Sequence, residues 1–544
     1  MAPPLLSSTE AQKSTPQCQA VPTTHPALSE SKCKVSDRNG STLAEESIGD
    51  AAKYLTDTRA EDFRPLTPER EKRLRRKIDC WVIPQLFGAL TLGAIDKVEI
   101  GTASLYGFQE DNQMHGQQYS WVGSILYLGV RILVLFTRVK KELTRGQHLS
   151  GYMLTTWLVL RVPPGKLLCT ASMLWSVITM LYAACHSWAG FMALRFFMGV
   201  MESAIFPSLT TLVVRFYKKQ EQPQRNAIIF AYFSSIPNGF FAWVVGYIPN
   251  SAPLKKWQYL YLITGSINIL YSLLLCLVLP DSPMNARFLT EEEKYWAVKR
   301  LASNRTGISN RVWKQEQFRE ALLDVRIWLI VLFNIAINIP NGVLQNYGTI
   351  IISDLGFSNL KASLLTMPFG IVATFGAWFF SYVASLTNRR TIVACAALLL
   401  PILGTALVYG LPRSNVAAQM VGLYLMYFYW APYVVGISLP QANTAGQTKK
   451  SVAFSLVSMG YAAGNLIGPQ TFISKEAPKY QSGVIAMLVS YCLSISLLLL
   501  YFVIFYAENR RTDKKYGRPS EIRNVVEGFA DVTDKKQRDF RYTY

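Results

Sequence analysis

The chain has 544 residues, half of them apolar and 17% charged, against roughly 25% charged in an ordinary soluble domain. Its formal charge of +20 would suit a nucleic-acid binder if the basic residues shared one face, but they fall in short segments between apolar runs. A soluble globular fold and a nucleic-acid partner are therefore excluded, and a lipid bilayer becomes the expected surroundings.

In chain order, residues 1 to 63 are rich in Ser, Thr, Pro, Ala and Gln, a composition that buries too little apolar surface to fold. We expect a disordered cytosolic tail over 1–77. Arg70, Lys72, Arg73, Arg75, Arg76 and Lys77 stand directly before the first apolar span, a flank that stays on the cytosolic side. Spans are expected near 80–100, 118–160, 166–186, 189–214, 225–247 and 258–279. A second set follows near 325–346, 362–385, 391–411, 416–440, 451–473 and 483–506. Each long run, such as Leu260 to Leu279 or Val484 to Phe505, reaches the ~20 residues that cross ~30 Å of hydrocarbon as a helix.

The second span is anomalous. Tyr119 to Gly129 is apolar, but Arg131, Arg138, Lys140, Lys141, Glu142 and Arg145 follow before apolar character resumes at Tyr152. A charge at bilayer depth costs ~2.5 kcal/mol or more, so a lipid-facing helix does not carry six. Removing Val130 to Gly151 joins the two apolar pieces into one span of ordinary length. Residues 130–151 are thus expected to be a retained intron or, alternatively, a genuine insertion.

The expected fold is all-α and integral to the membrane, with about twelve transmembrane helices in two six-helix halves, 78–279 and 325–507. A cytosolic linker over 280–324 joins the halves, and 508–544 forms a cytosolic C-terminal tail. The turns assigned to the cytosol carry Arg161 and Lys166, Arg215 to Arg225, Arg389 and Arg390, Lys449 and Lys450, and Arg510 to Lys515. Lys255, Lys256, Lys475 and Lys479 on the opposite turns weaken that bias. Two six-span halves around a midplane site is the organisation of a secondary transporter.

Rival functions fare worse. No Gly-x-x-x-x-Gly-Lys-Ser/Thr phosphate loop is present, which argues against a primary pump. The four histidines and eight cysteines are dispersed, so neither a metal site nor a cofactor is expected. A membrane enzyme would need clustered His or paired acids. A non-transporting nutrient sensor would bring a long folded cytosolic tail.

Intramembrane ionisable groups are candidates for function because burying them is costly. Asp96, Lys97 and Glu99 stand late in the first span. Arg195 and Glu202 stand in the fourth, seven apart and so on one side of a helix. Asn334, Asn338, Asn341 and Gln345 form a polar stripe along the seventh span, whose partners are either substrate and water or neighbouring helices. Tyr424, Tyr427, Tyr429 and Trp430 in the tenth span read as cavity lining or as interfacial anchors.

Several stretches resemble the fungal allantoate permease family, of the anion:cation symporter group in the major facilitator superfamily. They are Leu279-Pro-Asp-Ser-Pro-Met-Asn-Ala-Arg-Phe-Leu-Thr-Glu-Glu-Glu, Arg195-Phe-Phe-Met-Gly-Val-Met-Glu-Ser-Ala-Ile-Phe-Pro, Trp313-Lys-Gln-Glu-Gln-Phe-Arg-Glu-Ala-Leu-Leu-Asp, Asn338-Ile-Pro-Asn-Gly and Ala463-Gly-Asn-Leu-Ile-Gly-Pro-Gln. The resemblance implies proton-coupled uptake of a small organic anion such as allantoate, ureidosuccinate, a small peptide or a vitamin precursor, by a monomer in the plasma membrane with both termini cytosolic. It implies counter-charges for the substrate at Lys97 and Arg195 and proton coupling at Glu202, with Asp96 and Glu99 as further coupling candidates; Asn338, Asn341 and Gln345 of the polar stripe and Tyr427 of the tenth span are the other candidate substrate contacts. The family's first span usually reads Asp-Arg-x-Asn-Ile-Gly-Asn-Ala. Here it reads Asp96-Lys97-Val98-Glu99-Ile100-Gly101-Thr102-Ala103, replacing a planar fork by a point charge and adding a carboxyl that favours a less anionic or zwitterionic ligand.

Overall fold

The computed structural model describes residues 54, 63–129, 162–218, 221–302, 314–517, 532–537 and 540–544. The stretch 130–151 and most of the N-terminal tail lie outside the described residues. Among those described there is no strand, and ten helices are long and apolar enough to cross a bilayer.

The first half comprises α1 (Pro68–Leu105), α2 (residues 118–129), α3 (Pro164–Leu181), α4 (Trp188–Phe216), α5 (Gln222–Ile229), α6 (Ser235–Gly246) and α7 (Lys256–Val278). The linker holds α8 (Glu291–Ala302) and α9 (Gln315–Leu323). The second half comprises α10 (Val325–Asp354), α11 (Asn359–Leu365), α12 (Met367–Thr387), α13 (Arg390–Gly410), α14 (Val416–Met426), α15 (Trp430–Asn443), α16 (Gln447–Gln470) and α17 (Gln481–Tyr516). The end of the bundle where α1 begins is called basal here, and the end where it finishes distal.

Three expected spans are not continuous among the described residues; the eighth is interrupted at Thr366, between α11 and α12. The fifth breaks between α5 and α6, because Pro237 lacks an N–H and is tolerated only in a first turn; α6 accordingly starts at Ser235. The tenth is interrupted by a 3-10 turn at Tyr427–Tyr429, just ahead of Pro432 for the same reason.

Helix α1 starts ten residues before its apolar part. The Thr67 side chain accepts from the Arg70 N–H at 3.4 Å, Pro68 occupies the first turn, and Glu69 and Glu71 complement the helix dipole there. This basic extension docks on the linker. Lys77 Nζ lies 2.6 Å from Glu293 and Arg70 3.3 Å from Glu292, while Trp81 stacks on Phe288 with centroids 5.3 Å apart. Thr290 and Glu293 close a reciprocal cap at the start of α8. Arg70 and Lys77 of the basic flank therefore hold the linker.

Within the second half, α16 lies against α10 along a stripe of small residues. A Cβ at Gly460 would meet the Val331 carbonyl at 2.8 Å, and one at Gly464 the Ile335 carbonyl at 2.5 Å; Gly468 faces Ile339 in the same way. Glycine every fourth residue lets the two backbones approach, as in small-residue packing between membrane helices.

The C-terminal residues are not a free tail. Asp534, 3% exposed, accepts from Lys449 Nζ at 2.7 Å, from Arg326 Nη2 at 3.1 Å and from the Tyr542 hydroxyl at 2.9 Å. The Thr543 backbone exchanges two 2.7 Å hydrogen bonds with the Asn443 amide. The last residues thereby fasten the basal turn between α15 and α16.

The halves meet at the distal end. The Tyr119 hydroxyl donates to the Asn346 carbonyl at 2.7 Å, Ser120 bonds the Tyr347 hydroxyl at 2.7 Å, and Ser474 donates to the Gly116 carbonyl at 2.6 Å. Toward the basal end, the hydrogen bonds between halves among the described residues reduce to Trp378 Nε1 on the Ala227 carbonyl at 3.0 Å.

Candidate functional site

Five ionisable side chains meet inside the first half, and the structure pairs them across two helices. Arg195 and Glu202, two turns apart on α4, each engage a different residue of α1. Arg195 Nη2 donates to the Asp96 carbonyl at 3.1 Å, and Nη1 lies 3.9 Å from the Asp96 carboxylate. Both side chains are 3% exposed, and the guanidinium sits over the Tyr182 ring at 5.7 Å. Glu202 instead accepts from Lys97 Nζ in an ion pair whose partners are 8% and 12% exposed. One pair is sealed inside the half; the other keeps an opening to its surroundings.

Glu99 has no cation in contact. Its Oε1 accepts from the Thr264 hydroxyl of α7 at 2.7 Å, and its Oε2 has no partner among the described residues. Beside it, the Thr102 hydroxyl contacts Asn238 Oδ1 at 3.2 Å, tying α1 to α6. Three carboxyls thus face two cations, and the carboxyl left over is Glu99. Isolated charge in a medium of low dielectric is expensive, and the hydrogen bond from the Thr264 hydroxyl is the one that the Glu99 carboxyl receives among the described residues.

The facing wall, contributed by α10, α15 and α16, is uncharged. Asn338 Nδ2 donates to the Asn334 carbonyl at 2.8 Å. Asn341 Nδ2 donates to Asn465 Oδ1 at 2.8 Å and to Asn338 Oδ1 at 3.2 Å, while its Oδ1 accepts from Gln345 Nε2 at 2.8 Å and from the Tyr429 hydroxyl. Asn341 is therefore saturated and fully buried. Gln345 Oε1 accepts from the Tyr127 hydroxyl at 2.7 Å, which crosses to the first half.

Of the sequence-predicted residues, the structure brings Asp96, Lys97, Glu99, Arg195 and Glu202 into one cluster, and Asn338, Asn341 and Gln345 into one ladder. Tyr427 joins neither. Its hydroxyl donates to the Leu344 carbonyl at 2.9 Å and its ring stacks on Phe369 at 3.9 Å, so it packs helices. Sequence reasoning did not single out Thr264, Asn465 or Tyr127. Asn465 lay within a quoted motif, whereas Thr264 and Tyr127 sit in apolar runs that give no local signal. Tyr232, in the break between α5 and α6, was also missed; its buried hydroxyl has no partner among the described residues, and its ring lies 5.3 Å from Trp430 of the other half.

The family model described as Major Facilitator Superfamily matches residues 86–469. The MFS-type transporter cnsL of Penicillium expansum is 36% identical over 87% of this chain and 88% of its own length. The allantoate permease of Saccharomyces cerevisiae is 34% identical over 88% of this chain and 87% of its own. Among solved structures, a bacterial homologue of the human lysosomal transporter Spinster, in an inward-facing and unoccupied conformation, superposes with a TM-score of 0.59. It covers 79% of this chain and 97% of its own at 15% identity, a likeness of fold.

Proposed function

The chain belongs to the Major Facilitator Superfamily, and from that premise we propose that it is a secondary active transporter importing a small organic anion together with a proton. The observation that carries this reading is the Lys97–Glu202 pair between α1 and α4. A substrate carboxylate and the Glu202 carboxylate compete for one ammonium. Protonation of Glu202 removes the competitor and frees Lys97 for a charge-assisted hydrogen bond to the substrate. Release of both lets the pair reform, and Lys97 and Glu202 neutralise each other as the empty site returns. Proton and anion are thereby obliged to travel together.

Arg195 plays a different part in this reading from the one its family resemblance implied. Committed to the Asp96 carbonyl and carboxylate, it fixes α1 against α4 so that Lys97 and Glu202 stay opposed. The amide wall of α10 and α16 supplies neutral donors and acceptors for the rest of the substrate. Candidate substrates are allantoate, ureidosuccinate, a small peptide or a vitamin precursor. The basal end is the cytosolic one, both termini are cytosolic, the plasma membrane is the location, and the protein works as a monomer without catalysing a reaction.

The test is uptake of labelled allantoate, ureidosuccinate, a dipeptide, nicotinate and pantothenate at mildly acidic and neutral pH, by cells making the chain with and without Val130 to Gly151. Accumulation of one compound, faster in acid, with Glu202→Gln retaining uptake but losing the acid stimulation, is the expected result. Absence of uptake from either form at verified surface levels favours a non-transporting sensor. Acid stimulation that survives in Glu202→Gln removes Glu202 from the coupling role.

A further inference from the structure

We infer that Tyr127 is a positioning residue that couples closure of the distal end to the orientation of the amide wall; the inference rests on the transport reading above. Its hydroxyl donates to Gln345 Oε1 at 2.7 Å, a bond between the two halves in which Tyr127 is 3% and Gln345 6% exposed.

The chemistry of the ladder gives that single bond reach. A glutamine amide has one accepting and one donating end. With Oε1 turned to Tyr127, Nε2 must point to Asn341 Oδ1. That leaves Asn341 Nδ2 facing Asn465 and Asn338. Asn338 Nδ2 then faces Asn334. The far end of the ladder is anchored by backbone carbonyls, that of Asn334 accepting from Asn338 Nδ2 and that of Tyr461 from Asn465 Nδ2, so Asn341 keeps its sense and Gln345 is the amide whose other end is held by the first half. The Tyr127 hydroxyl holds the Gln345 side chain in line with Asn341; without it, Gln345 Oε1 loses this partner and the side chain is free to turn toward the cavity.

The Tyr127 ring meets Tyr461 of α16 edge-on at 5.9 Å. On the same helix as Tyr127, nearer the distal end, Tyr119 and Ser120 make closure bonds to Asn346 and Tyr347 of α10. These use a backbone carbonyl and a hydroxyl and do not touch the ladder. Separation of α2 from α10 breaks all three bonds, but only loss of the Tyr127 bond changes which atoms the amide wall offers a substrate. Opening the distal end therefore releases Gln345 Oε1 from the first half.

The experiment uses the full chain with its eight cysteines replaced by alanine and a single cysteine placed at Ser120, read out with a membrane-impermeant thiol reagent applied from the distal side. Tyr127→Phe and Gln345→Leu are each expected to speed labelling about fivefold, the factor carried by one neutral hydrogen bond, and the double variant no more than either alone. Tyr119→Phe should speed labelling similarly. The variants separate in uptake: Tyr127→Phe and Gln345→Leu raise KM severalfold, whereas Tyr119→Phe leaves KM unchanged. Additive effects of Tyr127→Phe and Gln345→Leu on labelling, or an equal KM rise in Tyr119→Phe, overturn the proposal. Labelling needs no substrate, so the expected labelling pattern in a chain that takes up nothing would uphold the latch while rejecting the transport reading.

Discussion

Lys97 and Glu202, 105 residues apart in the chain, form an ion pair that is less enclosed than the Arg195–Asp96 pair beside it. The difference in exposure is the ground on which the proposed transport reading gives the two pairs different roles: the enclosed pair holds its helices, because its disruption strands a charge, and the other pair exchanges partners.

Lys97→Ala should raise KM for the anionic substrate about 10- to 100-fold, the range expected for loss of a charge-assisted hydrogen bond. Lys97→Arg restores the residue usual in the related family and should keep acid-stimulated uptake. Initial-rate uptake over a substrate series, normalised to surface protein, checks both. Loss of uptake in Lys97→Arg comparable to that in Lys97→Ala would contradict the exchange of partners.

Arg195→Ala should act on stability before it acts on affinity. It leaves Asp96 buried without its counter-charge, which costs about 3–5 kcal/mol for a buried pair. Adding Asp96→Asn should recover a substantial part of that loss. Thermal unfolding of the purified protein in detergent measures it; an unchanged midpoint in Arg195→Ala would return Arg195 to direct substrate binding.

Gly464→Val should disrupt the α10–α16 contact, because even a Cβ at this position meets the Ile335 carbonyl at 2.5 Å and overpacking typically costs about 1–3 kcal/mol. Gly93, whose Cβ meets nothing within 4 Å, is the control: Gly93→Ala should be tolerated. The comparison is made by melting temperature and by surface expression.

The basal cluster of the second half gives a pH prediction. Burial acts to raise the Asp324 carboxyl, but the Arg326 guanidinium and the Lys449 ammonium outweigh it and hold the group below its usual 3.8. A carboxyl lowered by folding contributes stability that is fully present above its unfolded value and is lost as pH falls through the folded one. Thermal stability should therefore decline below about pH 3.8, and less steeply in Asp324→Asn. Asp534→Asn, which removes the charge that Lys449 and Arg326 donate to, and Tyr542→Phe, which removes the hydroxyl that donates to Asp534, should increase hydrogen exchange over residues 443–449 at neutral pH. Unchanged exchange there would mean that the segment does not fasten this turn.

The sequence by itself determined the membrane setting, the two six-span halves and the family. These follow from run length and composition, which act locally along the chain. It also placed Asp96, Lys97, Glu99, Arg195 and Glu202 together, because burying charge in hydrocarbon is costly enough to mark those positions wherever they fall. Tertiary structure alone determined the pairing. Spacing put Arg195 and Glu202 on one side of a helix, yet the partner of each depends on how α1 crosses α4, and helical periodicity carries no information about the neighbouring helix. The same limit hid Tyr127, Thr264 and Asn465. A lone hydroxyl or amide in an apolar run acquires meaning only when packing brings an acceptor from another helix within hydrogen-bond reach. Packing likewise drew Asp534 onto Lys449 and Arg326, since charges more than eighty residues apart meet only after the helices between them have assembled.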